Sequence, residues 1–275
     1  MNVQERLSRI QNDFSGRYAL FAEHMNTGET VQFGTMAPME TASTIKLPIL
    51  VETLRQVERG LFSLDSPLSM EASDFVEGSG VLQSLTPGLS LSLKDVLTLM
   101  ITVSDNVATN MVLRQIGLSS VNHAMHALGL RNTEIKKRID FSLPGPLGLS
   151  TPHDLVLLLK GIHFRTLISA QACETMDQIL SQQQYNTLLT RYLPYELLNG
   201  EDNQEPAVRI ASKSGSLKGV RNDAGLVTTP WGTFAIAIMS EAAEDMRFHP
   251  DNEAMVILPH ASRAIFDHFA DQSAG

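Results

Sequence analysis

The sequence predicts a mixed α+β fold: an antiparallel sheet built from N- and C-terminal strands and packed with terminal helices, with an all-α lobe inserted between them. Three observations predict it. RYALFAEHM and TVQFG are strand-forming runs on either side of the turn signal NTGE. From residue 43 to about 200 the helical period dominates. After NGEDNQEP the chain turns to short β-rich runs, VRIASKSG, RNDAGLVTT and FAIAIMS, separated by SLKG and PWG. Residues 1–42 and 201–275 are therefore expected to form one lobe and residues 43–200 the other. The crevice between two lobes is where a small-molecule site is expected.

Taken in order, MNVQERLSRIQNDF reads as an amphipathic opening helix, followed by the hairpin over residues 17–34. In the insert, helix starts are signalled at Ser92, at Ser119 or Ser120, at Thr151 with Pro152 in first position, and at Ser169. Gly117, Gly129 and Gly161 stand where such helices stop. Pro48 lies early in the first long helix, where a missing N–H is tolerated, whereas Pro259 is expected to kink or divide the last one.

The 275 residues, 43% hydrophobic and 19% charged, suffice for a core without metal or disulfide. A formal charge of −9 with no basic run argues against nucleic acid. No window approaches the roughly 18 apolar residues of a membrane helix, and the start lacks a signal-peptide core. A cytoplasmic protein is expected as written; an exported one would look the same if Met1 was added to a processed form. The single cysteine, Cys173, sits in a helical stretch without a catalytic motif and is expected to be a buried thiol. No metal or cofactor is called for, and a monomer is expected.

Three short motifs fall in sequence order: Ser43-Thr44-Ile45-Lys46 at the start of the first long helix, Ser104-Asp105-Asn106 breaking the helix begun at Ser92, and Lys213-Ser214-Gly215 at the end of the first C-terminal strand. A chain this long contains about one Ser-x-x-Lys by chance, but SDN in only a few per cent of cases and K-[ST]-G in roughly a tenth. Singly, each has a plain reading as an N-cap, a helix-ending turn or a strand end. Together they point to chemistry. A serine hydroxyl is a weak nucleophile near neutral pH, and residues i and i+3 share a helix face, so Lys46 stands beside Ser43. Its amine works as a base only when desolvation or a second cation, here Lys213, lowers its pKa.

This set resembles the class A β-lactamases and the related penicillin-binding proteins, and the likeness covers nearly the whole chain. The resemblance implies that Ser43 is acylated, with Lys46 as its base or part of a proton relay, and that Ser104 passes a proton to the leaving nitrogen. It implies further that Asn106 bonds the substrate's side-chain amide, that Lys213, Ser214 and Arg221 receive its carboxylate, and that the backbone N–H groups of Ser43 and Ser216 form the oxyanion hole. For Arg221, pairing with Asp223 is an equal alternative.

The chain departs from that family where a glutamate activates the hydrolytic water within Arg-x-Glu-x-x-Leu-Asn. Here KKRIDFSLPGPLGLSTP puts Arg138 and Asp140 on the Arg and Glu positions, Pro144 on the Asn, and Gly148 where the arginine's aspartate partner belongs, in a shorter loop. A carboxylate one methylene shorter is withdrawn by about 1.5 Å, and about 1 Å of misplacement costs on the order of a hundredfold. Asp140 is thus either catalytic or a structural partner of Arg138 or Lys137. The cysteine positions some members bridge are Leu50 and Leu97. The expected function is a serine hydrolase of the class A β-lactamase type. The alternative is a related esterase or amidase, or a penicillin-binding protein that deacylates slowly. A non-catalytic sensing module is disfavoured, since a pure binder does not need the nucleophile.

Overall fold

The computed structural model describes residues 1–200 and 205–272; the expected lobe boundary at residues 201–204 and the chain end at 273–275 lie outside the described residues. Helix α1 (Val3–Asp13) opens with a capping box between Asn2 and Glu5, which satisfies N–H groups the first turn leaves orphaned. Strands β1 (Arg17–His24) and β2 (Thr30–Phe33) make the expected hairpin, Leu20 facing Phe33 and Glu23 facing Thr30. Three C-terminal strands, β3 (Arg209–Leu217), β4 (Val220–Thr229) and β5 (Gly232–Glu241), complete one antiparallel sheet in the order β2-β1-β5-β4-β3. The two chain ends meet where β1 pairs with β5 along its whole length, from Arg17 opposite Glu241 to His24 opposite Phe234.

Alternation along β5 divides the molecule into two cores, because successive side chains leave opposite faces of a strand. Phe234, Ile236 and Ile238 face outward onto Leu7 and Ile10 of α1 and onto Phe266 and Phe269 of the last helix. Ala235, Ala237 and Met239 face inward and join the core of the helical insert. Small side chains on that inner face let α6 (Pro152–His163) lie close against the sheet.

The insert's other helices are α2 (Lys46–Glu58), α3 (Leu93–Thr102), α4 (Asn106–Ile116), α5 (Leu118–Ala127) and α7 (Ala170–Leu180). Ser92, Thr151 and Ser169 cap α3, α6 and α7 as expected. The last helical region is divided at Pro259 into α8 (Glu253–Ile257) and α9 (Pro259–Gln272). Cys173 is fully buried, as are Leu50 and Leu97. Among the described residues no helix is long and apolar enough to cross a membrane.

Three expectations need correction. α5 starts at Leu118, not at Ser119 or Ser120, because Gly117, with φ of +80°, ends α4 and begins α5 in one residue. Gly161 does not stop α6; a Cβ there would stand 3.0 Å from Leu167 Cδ1, so glycine admits the returning chain. The insert is not purely helical: Pro67–Ser69 pairs with Ser90–Ser92, and Gly148–Ser150 pairs with both Met39–Glu40 and Glu134–Ile135. Ladders of two or three residues are too short to leave a period in the sequence. Leu188, Leu189 and Leu193 of the insert pack in the outer core.

Candidate active site

Ser43 lies half-buried in a single 3₁₀ turn, Ala42–Ile45, that runs directly into α2. The turn is held open at its start by Ala42, a fully buried non-glycine residue with φ of +45°, a strained conformation that persists only where its surroundings enforce it. Those surroundings are specific. Thr41 N–H donates to Gly148 O at 3.0 Å, Asn222 Nδ2 donates to Glu40 O at 2.8 Å, and the Thr44 hydroxyl donates to Thr41 O at 2.7 Å.

Strand β3 presses on this turn backbone to backbone. A Cβ on Gly215 would stand 2.8 Å from Ser43 N and 3.0 Å from Thr41 O and Thr44 N. KSG is therefore not at a strand end, as the sequence suggested, but inside β3, with Ser214, Gly215 and Ser216 facing Asp223, Asn222 and Arg221. Gly215→Ala is expected to slow acylation about a hundredfold by displacing the nucleophile and to destabilise by about 1–3 kcal/mol. Burst kinetics and a thermal unfolding midpoint measured on the same sample check both.

Lys46 is fully buried in the first turn of α2. Its Nζ donates to Ser104 O at 2.6 Å and Asn106 Oδ1 at 3.0 Å and lies 3.1 Å from Ser104 Oγ. Burial first, then the Lys213 amine, push its pKa well below that of a free lysine, with Asp105 opposing. A neutral amine has two N–H bonds, which the two carbonyl oxygens accept, and one lone pair left for a hydroxyl proton.

The SDN corner is what aims those acceptors. Ser104 carries φ of +54° between α3 and α4. Fully buried Asp105 caps α4 through Ala108 N–H (2.9 Å) and holds the preceding loop through Val81 N–H (2.7 Å) and Leu82 N–H (2.8 Å). That loop contains a site residue the sequence reading passed over: Ser79, whose carbonyl accepts from Asn106 N–H at 3.0 Å and which lines the cavities on both sides of Ser43. Its signal was Gly78-Ser79-Gly80. Both glycines have φ above +100°, and a Cβ on Gly80 would stand 2.3 Å from the Asp105 carboxyl.

Lys213 is buried on β3 and donates to Ser214 O at 2.6 Å. Burial lowers its pKa and raises that of buried Asp223. Ser214 and Ser216 line a cavity of about 220 Å³ together with Ser43, Ser104, Tyr185 and Thr187. Tyr185 and Thr187 lie in no recognisable motif, and only the fold brings them there.

Two predicted site residues are not brought to this crevice. Arg221 is 2% exposed, and its guanidinium donates to the carbonyls of Leu217, Val220 (2.8 Å) and Arg247 (2.6 Å), with Phe248 against its face at 5.0 Å. It lines neither cavity at Ser43 and makes no ion pair with Asp223. Asp140 turns into its own loop: its Oδ1 accepts from Ser142 N–H (2.9 Å) and from the Ser142 hydroxyl (2.6 Å), which hold its pKa low. A serine two residues on closes an Asx turn. The ion pair with Arg138 does not form either; Arg138 and Arg114 both bind the fully buried Asp74, at 3.1 and 2.9 Å.

Phe141, Leu143 and Leu147 of the loop that carries Asp140 instead wall a cavity of about 520 Å³ on the other side of Ser43. Among the described residues no cluster of three or more His, Cys, Asp or Glu offers a metal site.

Known proteins share this fold along nearly the whole chain. A β-lactamase from Sphaerobacter thermophilus has the same fold, with a TM-score of 0.86 and 30% identity over 98% of this chain and 97% of its own. PBP-A, seen as an acyl-enzyme complex of a mutant with penicillin G, superposes with a TM-score of 0.84 at 27% identity, covering 98% and 96% of the two chains. A β-lactamase of Rhodobacter capsulatus is 23% identical over 96% of this chain and 88% of its own. The model of the β-lactamase enzyme family matches residues 2–269, through both lobes and every element that frames Ser43, and the chain belongs to that family.

Proposed function

We propose that this protein is a serine hydrolase that opens a β-lactam amide through an acyl-enzyme on Ser43 and clears it with water. The observation that carries the reading is the environment of Lys46: an amine desolvated beside Lys213, with both N–H bonds engaged by fixed oxygens. Lys46 takes the Ser43 proton as Oγ attacks the lactam carbonyl. The oxyanion is met by the N–H groups of Ser43 and Ser216, which the close approach of β3 holds at one end of the turn. The C–N bond then breaks, and Ser104, in contact with Lys46, delivers the proton to the leaving nitrogen. Ser214 and Ser216 receive the substrate carboxylate, with the Tyr185 and Thr187 hydroxyls beside them; Lys213, buried behind the cavity wall with its amine on Ser214 O, adds positive charge, since Arg221 is spent on carbonyls. Asn106 bonds the acyl side-chain amide from the wall of the larger cavity. Both walls of the crevice come from one chain, so a monomer suffices.

One observation favours the second reading, a penicillin-binding protein or esterase that deacylates slowly: Asp140 is engaged by Ser142 and does not line the cavity. Steady-state assay of a penicillin, a cephalosporin and a simple thioester separates the two. Sustained β-lactam turnover supports the first; a single stoichiometric burst with thioester turnover supports the second. Absence of reaction with all three contradicts both.

A further inference from the structure

This inference rests on the hydrolytic reading of Ser43 and concerns the residue that completes it. If Asp140 does not reach the acyl-enzyme, another group must take the proton from water. Glu40 is the only carboxylate that lines either cavity at Ser43 among the described residues. It precedes the nucleophile by three residues, a span of at most about 10 Å between the two Cα atoms.

Its backbone is fixed on both sides. Glu40 pairs with Leu149 across the short ladder, and its carbonyl accepts from Asn222 Nδ2 at 2.8 Å. The side chain is half-buried against the loop that carries Asp140, where Leu147, Phe141 and Leu143 stand. A carboxylate on the wall of a cavity that Ser43 also lines, with Phe141, Leu143 and Leu147 around it, is placed for general-base work on a water held there.

We propose that Glu40 is the general base of deacylation in this protein, taking the place that Asp140 leaves empty. Glu40 accepts a proton from a water whose oxygen attacks the Ser43 ester carbonyl. The oxyanion formed is held by the Ser43 and Ser216 N–H groups. As the bond between the acyl carbon and Ser43 Oγ breaks, the proton taken from water passes to Oγ, which regenerates the serine, the Glu40 carboxylate and a free acid. The charged groups facing Glu40 set its titration: burial raises its pKa, Glu241 on β5 adds to that, and Lys137 and the Leu147 N–H pull it down. Glu241 is itself paired with Arg17 at 2.6 Å, and Lys218 lines the same cavity. Deacylation should therefore fall off on the acid side at a pH above that at which a free glutamate titrates, with its full rate well above that pH.

The test is rapid mixing of the wild type, Glu40→Gln and Glu40→Asp with benzylpenicillin, reading adduct by intact mass and free penicilloic acid in the same samples. Glu40→Gln should acylate within about threefold of wild type and deacylate at least about 10²-fold more slowly. Its adduct should accumulate and its acid limb disappear, while Glu40→Asp falls between. Normal turnover by Glu40→Gln, equal slowing of both steps, or accumulation of adduct in Asp140→Asn instead overturns the proposal. So does a permanent adduct on the wild type, which leaves acylation standing; a wild type that forms neither adduct nor product removes the hydrolytic reading itself. If Glu40→Gln does not fold, as a thermal unfolding scan would show, Glu40→Asp and the wild-type acid limb decide the matter.

Discussion

Ser43→Ala loses β-lactam turnover by roughly 10⁴- to 10⁶-fold and shows no covalent adduct at any time of mixing. The size follows from what stays behind: removal of a nucleophile leaves only binding and the oxyanion donors, which by themselves give a small residual rate. The substitution removes one oxygen from a half-buried side chain, while Ala42 strain, the Thr44–Thr41 bond and the Gly215 contact are untouched. Stability should stay within about 0.5 kcal/mol of wild type. Substrate should still bind, so a competition measurement with a non-hydrolysed ligand separates lost chemistry from lost structure.

Lys46→Ala is the second large effect, a fall of about 10²–10⁴-fold in acylation, read as the rate of adduct formation with Ser43 still present. The amine is useful because burial and Lys213 lower its pKa far below 10.5. The sign follows directly. Above the lowered pKa the amine is neutral and accepts the Ser43 proton, and below it the amine is charged and cannot. Wild-type acylation should be level well above that pKa and decline as pH falls through it, and Lys46→Ala should show no such limb. Two carbonyl oxygens, of Ser104 and Asn106, lose their donor in the variant, which costs about 1–3 kcal/mol for each that water does not reach. Thermal unfolding midpoints taken alongside the kinetics detect that cost.

These two residues were legible because a short-range rule placed them: i,i+3 spacing put Lys46 beside Ser43, and SDN was legible as the break that ends the helix begun at Ser92. The hairpin, the individual C-terminal strands and the caps at Ser92, Thr151 and Ser169 were legible for the same reason, since each is decided within a few neighbouring residues. What was not legible depends on chain segments far apart. Arg221 is immobilised by a carbonyl 26 residues away, at Arg247. Asp140 matches a motif position, yet Ser142 two residues on turns its carboxylate aside. Glu40, in no motif, enters the crevice because a ladder of two residues and a bond from Asn222 on β4 carry it there. Ser79 was hidden in a glycine pair whose meaning appears only once Asp105 fills the space that a Cβ would take.

The measurement that bears most directly on the whole account is quenched-flow mass spectrometry of the wild-type protein with excess benzylpenicillin, with peptide mapping of the modified species. The account predicts an adduct that forms first, maps to the peptide containing Ser43 and no other, and disappears as penicilloic acid exceeds one equivalent per protein. Product released without an adduct, an adduct on another side chain, or penicillin left unconsumed would contradict it.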